Sequence, residues 1–519
     1  MAENGYMQIY VVVRSYLYQR GPGHALFSRA ASGAWTEGEI VDPILFWNDV
    51  ANEADRRTHT TAPAAEAGSR GPCGSSKAYA IVHLAMHDAY FSINTGIHDT
   101  WIDPAVLPTP PAGADVDVAV AGAAHAALSA LYPTQTAEFD AKLAETVIAT
   151  GGPTGPAYSF GVAVAAKVLI ERVGDPSLDD TGHVASDAPG RHRHNPDAPV
   201  EEHGFHAPFY GARTKCFAVG SRYKLDSPPK LGGSEYLAAL REVKVKGITP
   251  KLTATLPSGS DTRTPEETTI GIFWAYDGTK GLGTPPRFYN QIVRKIADAQ
   301  GNTPEKNARL FALVNAAMGD AGILAWDDKY DYDLWRPVLG IREHGDSLGP
   351  EATPGNPIDA DADPFWLPLG APRTNETGKK NFTPPFPAYP SGHATFGAAA
   401  FQSVRRFYSA ACDYEPDNLT GDIDFVSEEL NGINRDNRGT VRPKHSREFP
   451  GGLWQMIEEN GRSRIFLGVH WVFDAFAVDE NGEMDLTQNI GGVRLGLDIA
   501  DDIATGGFKS ADAAGPRLP

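Results

Sequence analysis

The chain has 519 residues, 41% hydrophobic and 21% charged, with a formal net charge of -19. That acidity argues against a broad phosphate-backbone footprint, hence against a nucleic-acid partner, and against an anionic membrane surface. Its three cysteines, Cys73, Cys216 and Cys412, lie far apart without a CxxC spacing, so neither a disulfide framework nor a thiolate zinc site is expected.

In chain order, residues 1–40 show no sustained period and read as a leader. Their longest apolar run, Ile9 to Val13, is too short for a signal segment. No stretch approaches the roughly 20 apolar residues of a membrane span. A soluble protein is expected, with secreted and cytoplasmic locations both open. From "DPILFWNDVANEADRRTH" onward, segments rich in Ala, Leu and Val recur at helical spacing, punctuated by Gly and Pro. The pattern predicts helices over 74–92, 116–132, 134–150, 157–174, 285–300, 303–322, 391–409, 451–476 and 491–504. Strand patterns are few and short. The expected architecture is mainly α: an N-terminal helical bundle over 41–183, a connecting belt over 184–262, a C-terminal bundle over 263–505, and a frayed tail over 506–519.

Three motifs in the C-terminal half carry chemistry. In "DDKYDYDLWRPVLG", Lys329 and Arg336 stand seven residues apart, which on one helix sets them on nearly the same face about 10 Å apart. Pro337 is expected to end or kink that helix at Arg336. The competing reading is a solvated face shared with Asp327, Asp328, Asp331 and Asp333.

In "YPSGHATFGAAAFQS", Ser391 can cap a helix whose buried stripe is Phe401, Val404 and Tyr408. The amino end of such a helix attracts an oxyanion, Gly392 lets backbone approach it, and His393 exchanges protons near neutral pH. A plain capped turn would have the same sequence. In "SRIFLGVHWVFDAF", Arg464 and His470 are six residues apart in an apolar run, so they would meet one ligand from different sides or across a helix end. A lone histidine there could equally be a hydrogen-bonded core residue. Together the motifs supply two guanidinium forks, an ammonium, a hydroxyl, a backbone amide and two imidazoles, a donor set suited to an oxyanion.

The order Lys329 to Pro337, Pro390 to His393 and Ser463 to His470 resembles the signature shared by vanadium-dependent haloperoxidases and the acid phosphatases related to phosphatidic acid phosphatase type 2. The similarity is greatest to the fungal-type vanadium chloroperoxidases. It extends through "ILFWNDVANEADRRTHT", "VHLAMHDAYFSI", "HAPFYG", "FWAYDG", "GTPPRFYNQIVRKIA", "ARLFALVNAAMGDAGI", "SEELNGINRD" and neighbouring stretches, over most of residues 44–500.

The resemblance implies a vanadate cofactor in the C-terminal bundle, with neither haem nor nucleotide. His470 would coordinate vanadium, and Lys329, Arg336, Ser391, Gly392 and Arg464 would bind the vanadate oxygens. His393 would act as acid and base, Lys329 would polarise bound peroxide, and Asp277 would pair with Arg464. Trp326 and Phe386 match aromatic residues beside the halide site. The implied activity is oxidation of chloride and bromide by hydrogen peroxide to hypohalous acid, which halogenates small organic substrates. The rival function is phosphomonoester hydrolysis in the same cage, with His393 protonating the leaving group and His470 attacking phosphorus.

Two further motifs compete for attention. "HLAMH" places His83 and His87 at i and i+4, a possible metal pair that lacks the Glu of HExxH and a third ligand. The run "RHRHNPDAPVEEHGFH", with His192, His194, His203 and His206, reads as a solvated connector.

Overall fold

A computed structural model describes residues 42–150, 155–344, 361–409 and 414–518. The expected leader and Cys412 lie outside them. The described chain is helical, with only two-residue strands paired antiparallel in two hairpin-like ladders, Phe425–Val426 with Ser446–Arg447 and Ala477–Val478 with Met484–Asp485.

The N-terminal half contains α1 (Pro43–Thr61), α2 (Gly71–Ile93), α3 (Val116–Leu131), α4 (Thr136–Thr150) and α5 (Pro156–Ile170). Asp42 starts α1 by accepting the amides of Ile44 and Leu45 at 2.8 and 3.0 Å. Helix α2 is buried nearly all round because α3, α5 and a long C-terminal helix surround it. After the short α6 (Tyr210–Arg213), the belt carries α7 (Ser234–Lys246). The C-terminal half follows with α8 (Pro265–Phe273), α9 (Pro285–Ala299), α10 (Pro304–Tyr332), α11 (Pro337–Arg342), α12 (Gly392–Phe407), α13 (Gly452–Phe466), α14 (Val472–Ala475) and α15 (Gly491–Thr505).

The two bundles share a core. Helix α10 packs on α2 with one side and on α12 with another, and one buried hydrophobic cluster runs from Ile44 to Ala513. Its 29 residues are long and apolar enough to cross a bilayer, yet 89% of the qualifying window is buried inside the fold. Helix α12 is clasped closely by α15. A Cβ on Gly492 would stand 2.5 Å from the Ser391 carbonyl oxygen, and one on Gly496 would stand 2.5 Å from that of Thr395. Only glycine permits this approach, which fixes the helix start that carries Ser391.

Several expectations change. The helix expected over 303–322 runs to Tyr332, ten residues further, and carries Trp326 and Lys329. It stops where Asp333 turns left-handed at φ 52, four residues before Pro337, so Lys329 and Arg336 do not share a helix. Pro337 opens α11 instead of closing a helix, because a proline needs no amide partner in a first turn. The segment 451–476 is two helices separated at Leu467 to Trp471. The tail is anchored, not frayed: Ala514 exchanges backbone bonds with Cys216 and Val219 at 2.9 and 2.8 Å, and Arg517 Nη2 reaches Asp327 at 2.6 Å.

Candidate active site

Four chain breaks converge beside α12. The first is the end of α10, where Lys329 is fully buried. Its Nζ donates to the carbonyl oxygens of Pro387 (2.9 Å), Ala388 (3.0 Å) and Pro390, which uses all three ammonium protons on the loop leading into Ser391. Lys329 therefore clamps that loop and contributes charge to the site.

The second is the extended link from α10 to α11. Leu334 pairs with Arg191, and Trp335 N donates to Gly190 O at 2.9 Å, which holds Arg336 in place as the residue before α11. Arg336 Nε donates to Phe386 O at 2.8 Å, and Nη1 lies 2.7 Å from Val469 O and 2.8 Å from His470 Nε2.

The third is the start of α12. Ser391 Oγ accepts the Ala394 amide at 3.4 Å, and the Ser391 amide donates to Asp474 O at 2.7 Å. The first-turn amides of Gly392 and His393 have no acceptor within the helix. The space left by the missing Cβ of Gly392 is filled by the Trp326 indole, which such a Cβ would meet at 3.2 Å.

The fourth is the link from α13 to α14. Arg464 sits in the last turn of α13, Gly468 turns the chain at φ 72, and His470 follows before α14 begins. Arg464 and His470 thus meet across a helix end. His470 Nδ1 donates to Asp474 Oδ2 at 2.7 Å, and the same oxygen accepts the Trp471 amide at 3.0 Å. With Nδ1 carrying the proton, Nε2 holds the ring's lone pair, which accepts Arg336 Nη1 at 2.8 Å. Sequence reasoning missed Asp474, although its i+4 spacing from His470 was visible in "HWVFD".

Asp277 enters from the loop after α8. Its Oδ1 accepts Arg464 Nη2 at 2.7 Å and lies 3.9 Å from His393 Nε2. His393 Nε2 donates to Ala275 O at 2.7 Å. The structure therefore brings together Lys329, Arg336, Ser391, Gly392, His393, Arg464, His470 and Asp277. Trp326 and Phe386 form one wall, with ring centres 4.9 Å apart and Lys329 Nζ 5.5 and 5.2 Å from them.

Several buried polar atoms here have no hydrogen-bond partner among the described residues: Arg336 Nη2, Arg464 Nε and Nη1, Asp277 Oδ2 and Asp474 Oδ1. Burying open guanidinium N–H groups is costly, and an oxyanion would satisfy them. The electrostatics agree. Burial, and behind it the charge of Arg336, drives Lys329 far below its ordinary range. Burial, then the charge of Arg464, brings Arg336 down to about 9 despite the pull of Asp474. Burial, and after it the charge of Arg464, keeps His393 well below the usual imidazole range; His470 is depressed likewise by burial and then Arg336. Burial pushes Asp474 up to about 7. An anion would relieve this crowding of positive charge.

His83 and His87 are core residues. His83 Nδ1 bonds Tyr79 O at 2.7 Å and Nε2 lies 2.9 Å from Asn48 Nδ2; His87 bonds Asp88 at 2.9 Å and Arg309 at 3.2 Å. No group of three metal-ligating side chains occurs among the described residues. The histidine run divides. His194 and His203 are exposed and stack at 4.5 Å, whereas His192 is 3% exposed with both ring nitrogens enclosed. The solvated-connector reading fails for His192 because its backbone is pinned to Asp333 O at 2.9 Å, which folds the ring inward beside Phe205.

Fold and site together define a helical-bundle protein with a buried cluster of lysine, arginine and histidine side chains, several of whose N–H groups are open. Comparisons give the particular family. The family model for the vanadium chloroperoxidase N-terminal domain matches residues 41–216, and that for the second helical-bundle domain matches 309–488. The vanadium chloroperoxidase of Curvularia inaequalis is 38% identical over 576 aligned positions, covering 90% of each chain. The chain belongs to the vanadium chloroperoxidase family. Its fold is shared with a bacterial vanadium-dependent iodoperoxidase (TM-score 0.59, 17% identity, 92% of this chain and 99% of that one). It is also shared with a bacterial vanadium-dependent chloroperoxidase in its holo form (TM-score 0.53, 16% identity, 85% and 95%).

Proposed function

We propose that this protein oxidises chloride and bromide with hydrogen peroxide to hypohalous acid, which halogenates small organic molecules, and that it does so with vanadate held in the C-terminal cage. The observation that carries the reading is the set of buried, unpartnered donors on Arg336 and Arg464 around the His470 lone pair. Family membership supports halide oxidation over phosphate-ester hydrolysis.

Bound vanadate supplies a Lewis-acid centre that activates peroxide without a change in oxidation state. Arg336 Nη2, Arg464 Nε and Nη1 and the Gly392 amide would hold its oxygens, and Ser391 Oγ lies at the same helix mouth. His470 Nε2 would be the nitrogen ligand, kept in the required tautomer by Asp474. That role needs Arg336 Nη1, now 2.8 Å from Nε2, to turn onto the anion.

His393 serves as the proton carrier. Its Nε2–H is committed to Ala275 O, so a proton exchanges at Nδ1. Burial, and after it the charge of Arg464, keeps the ring neutral, and a bound anion would offset that charge and favour uptake of the proton. Asp277 orients Arg464 and offsets its charge. Lys329 would add positive charge that draws electron density away from the oxygen a halide attacks, making it more electrophilic. The Trp326 and Phe386 wall excludes water and weakens screening of these cations, which suits the oxidation of chloride.

The test is halide- and peroxide-dependent bromination of a dye by metal-stripped protein, with and without orthovanadate, beside hydrolysis of a chromogenic phosphate ester without vanadate. Vanadate-dependent bromination is expected. Efficient ester hydrolysis with no bromination would establish the phosphatase reading instead.

A further inference from the structure

A cleft of about 870 Å³ opens beside the cage and shares Arg336 and Asp277 with it. Its wall carries buried donors that the proposed chemistry leaves unused. His192 is 3% exposed and Thr383 5%, and neither His192 Nδ1, His192 Nε2 nor Thr383 Oγ1 has a partner among the described residues. Two arginines in the same wall are anchored by one edge and open at another. Arg193 pairs with Glu343 through Nη2 but leaves Nη1 open; Arg373 pairs with Glu202 through Nη2 but leaves Nε open.

The chemistry of these atoms narrows the ligand. Guanidinium nitrogens donate only, a threonine hydroxyl can donate, and a neutral imidazole donates from one nitrogen. Burial, followed by the charges of Arg336 and Lys329, holds His192 well below the ordinary imidazole range and hence neutral. Among these open atoms donors outnumber acceptors. The lining carboxylates Asp197, Glu202 and Asp277 are already paired with Arg342, Arg373 and Arg464, which favours an anion over hydrogen peroxide, a ligand that must also find acceptors. The surroundings fit a weakly hydrated ion: the ring of Phe205 is 5.6 Å from that of His192, and Val338 and Leu339 complete an apolar stretch of the same wall. A chain with net charge -19 also depletes halide from its surroundings unless a local cationic surface gathers it.

We propose that this cleft contains a halide-recruiting site outside the cage, in which His192 and Thr383, flanked by Arg193 and Arg373, bind chloride or bromide before its oxidation. The proposal rests on the haloperoxidase reading for its purpose, but halide binding can be measured without turnover.

The probe is chloride itself, observed by chloride-35 NMR line broadening on vanadium-free protein whose cage is filled with inorganic phosphate. Wild type should broaden the line, and bromide should reverse the effect. Thr383→Val and His192→Phe should each weaken halide binding about tenfold, the scale of one lost hydrogen bond to an ion. In the vanadate-loaded enzyme the same variants should raise KM for bromide by a similar factor while kcat and the KM for hydrogen peroxide hold. Melting temperature and phosphate affinity report folding, and if His192→Phe is misfolded the isosteric Thr383→Val carries the test alone.

Broadening and bromide KM unchanged in folded Thr383→Val would overturn the site, as would a loss confined to kcat. Broadening reversed by acetate but not by bromide would assign the cleft to an organic carboxylate and also overturn it. Halide binding that depends on Thr383 in a protein without peroxidase activity would refute the proposed function and leave the binding site standing.

Discussion

The N-terminal and C-terminal bundles bury the same kinds of polar side chain under different terms. In the first, His83 and His87 have a partner at each ring nitrogen. Arg287, which joins the two bundles, donates to Asn52 O, to Leu282 O and to both carboxylate oxygens of Glu428. In the second, Arg464 is equally buried but uses only Nη2 on protein, and Arg336 keeps Nη2 open. Residue type and burial do not separate structural from functional groups here. What marks the cage is the clustering of open charged groups: single open polar atoms such as Trp47 Nε1 and Tyr210 Oη occur elsewhere in the core, but Arg336 and Arg464 bring several open guanidinium N–H groups beside Asp277 and Asp474.

The largest expected effect attacks the structural side of that contrast. Arg287→Ala leaves Glu428 unpaired and should cost about 3–5 kcal/mol of stability while phosphate affinity of the cage is unchanged. Denaturant unfolding beside phosphate titration checks both halves, and a weakened phosphate site with intact stability would reverse the assignment. On the functional side, His470→Ala should lower halide oxidation at limiting vanadate on the order of a hundredfold or more, the scale of losing one group from a preorganised oxyanion site. Full activity in that variant would remove His470 as the anchor.

Asp474→Asn sharpens the comparison within the cage. It disturbs the proton on His470 Nδ1 without touching the anion, so vanadate affinity should fall about 10- to 100-fold with kcat at saturating vanadate largely kept. Equilibrium dialysis against vanadate reads the first quantity and dye bromination the second.

Much of this was legible in sequence. The three motifs name residues that the structure brings together beside α12, and apolar residues at helical spacing locate most helices. What sequence could not reveal was how the chain turns between motif residues. The left-handed turn at Asp333 goes with the packing of 190–192 against 333–335, a contact 145 residues distant (335 − 190) for Trp335 and Gly190 that no local pattern encodes, so the sequence alone sets Lys329 and Arg336 on one helix. The same long-range pairing buries His192, and the anchoring of Arg517 by Asp327 holds the tail. Asp474 was visible but undistinguished from the other acidic residues until its partner was known.

Two smaller effects probe each bundle separately. Burial pushes His83 down to about 4. The unfolded chain takes a proton below about pH 6.5 while the folded chain refuses it until about pH 4, so stability is kept at neutral pH and lost as pH falls through that window. The loss from this group should be about 2 kcal/mol between pH 7 and 5, and unfolding of His83→Gln should show a correspondingly flatter pH dependence. In the cage, Phe386→His replaces part of the apolar wall with a polar ring, which should lower the chloride-to-bromide oxidation ratio several-fold by restoring solvent screening. Rates with both halides across a pH series check this, and an unchanged ratio would reduce Phe386 to packing.

The central claim is that the open donors of Arg336 and Arg464 exist to hold vanadate beside His470. Titrating metal-free protein with orthovanadate while following bromination tests it most directly, with a second titration in inorganic phosphate. Activity should rise from baseline, saturate at one vanadate per chain and shift to higher vanadate concentration as phosphate occupies the same donors. Bromination that needs no vanadate, or a vanadate titration indifferent to phosphate, would contradict the account.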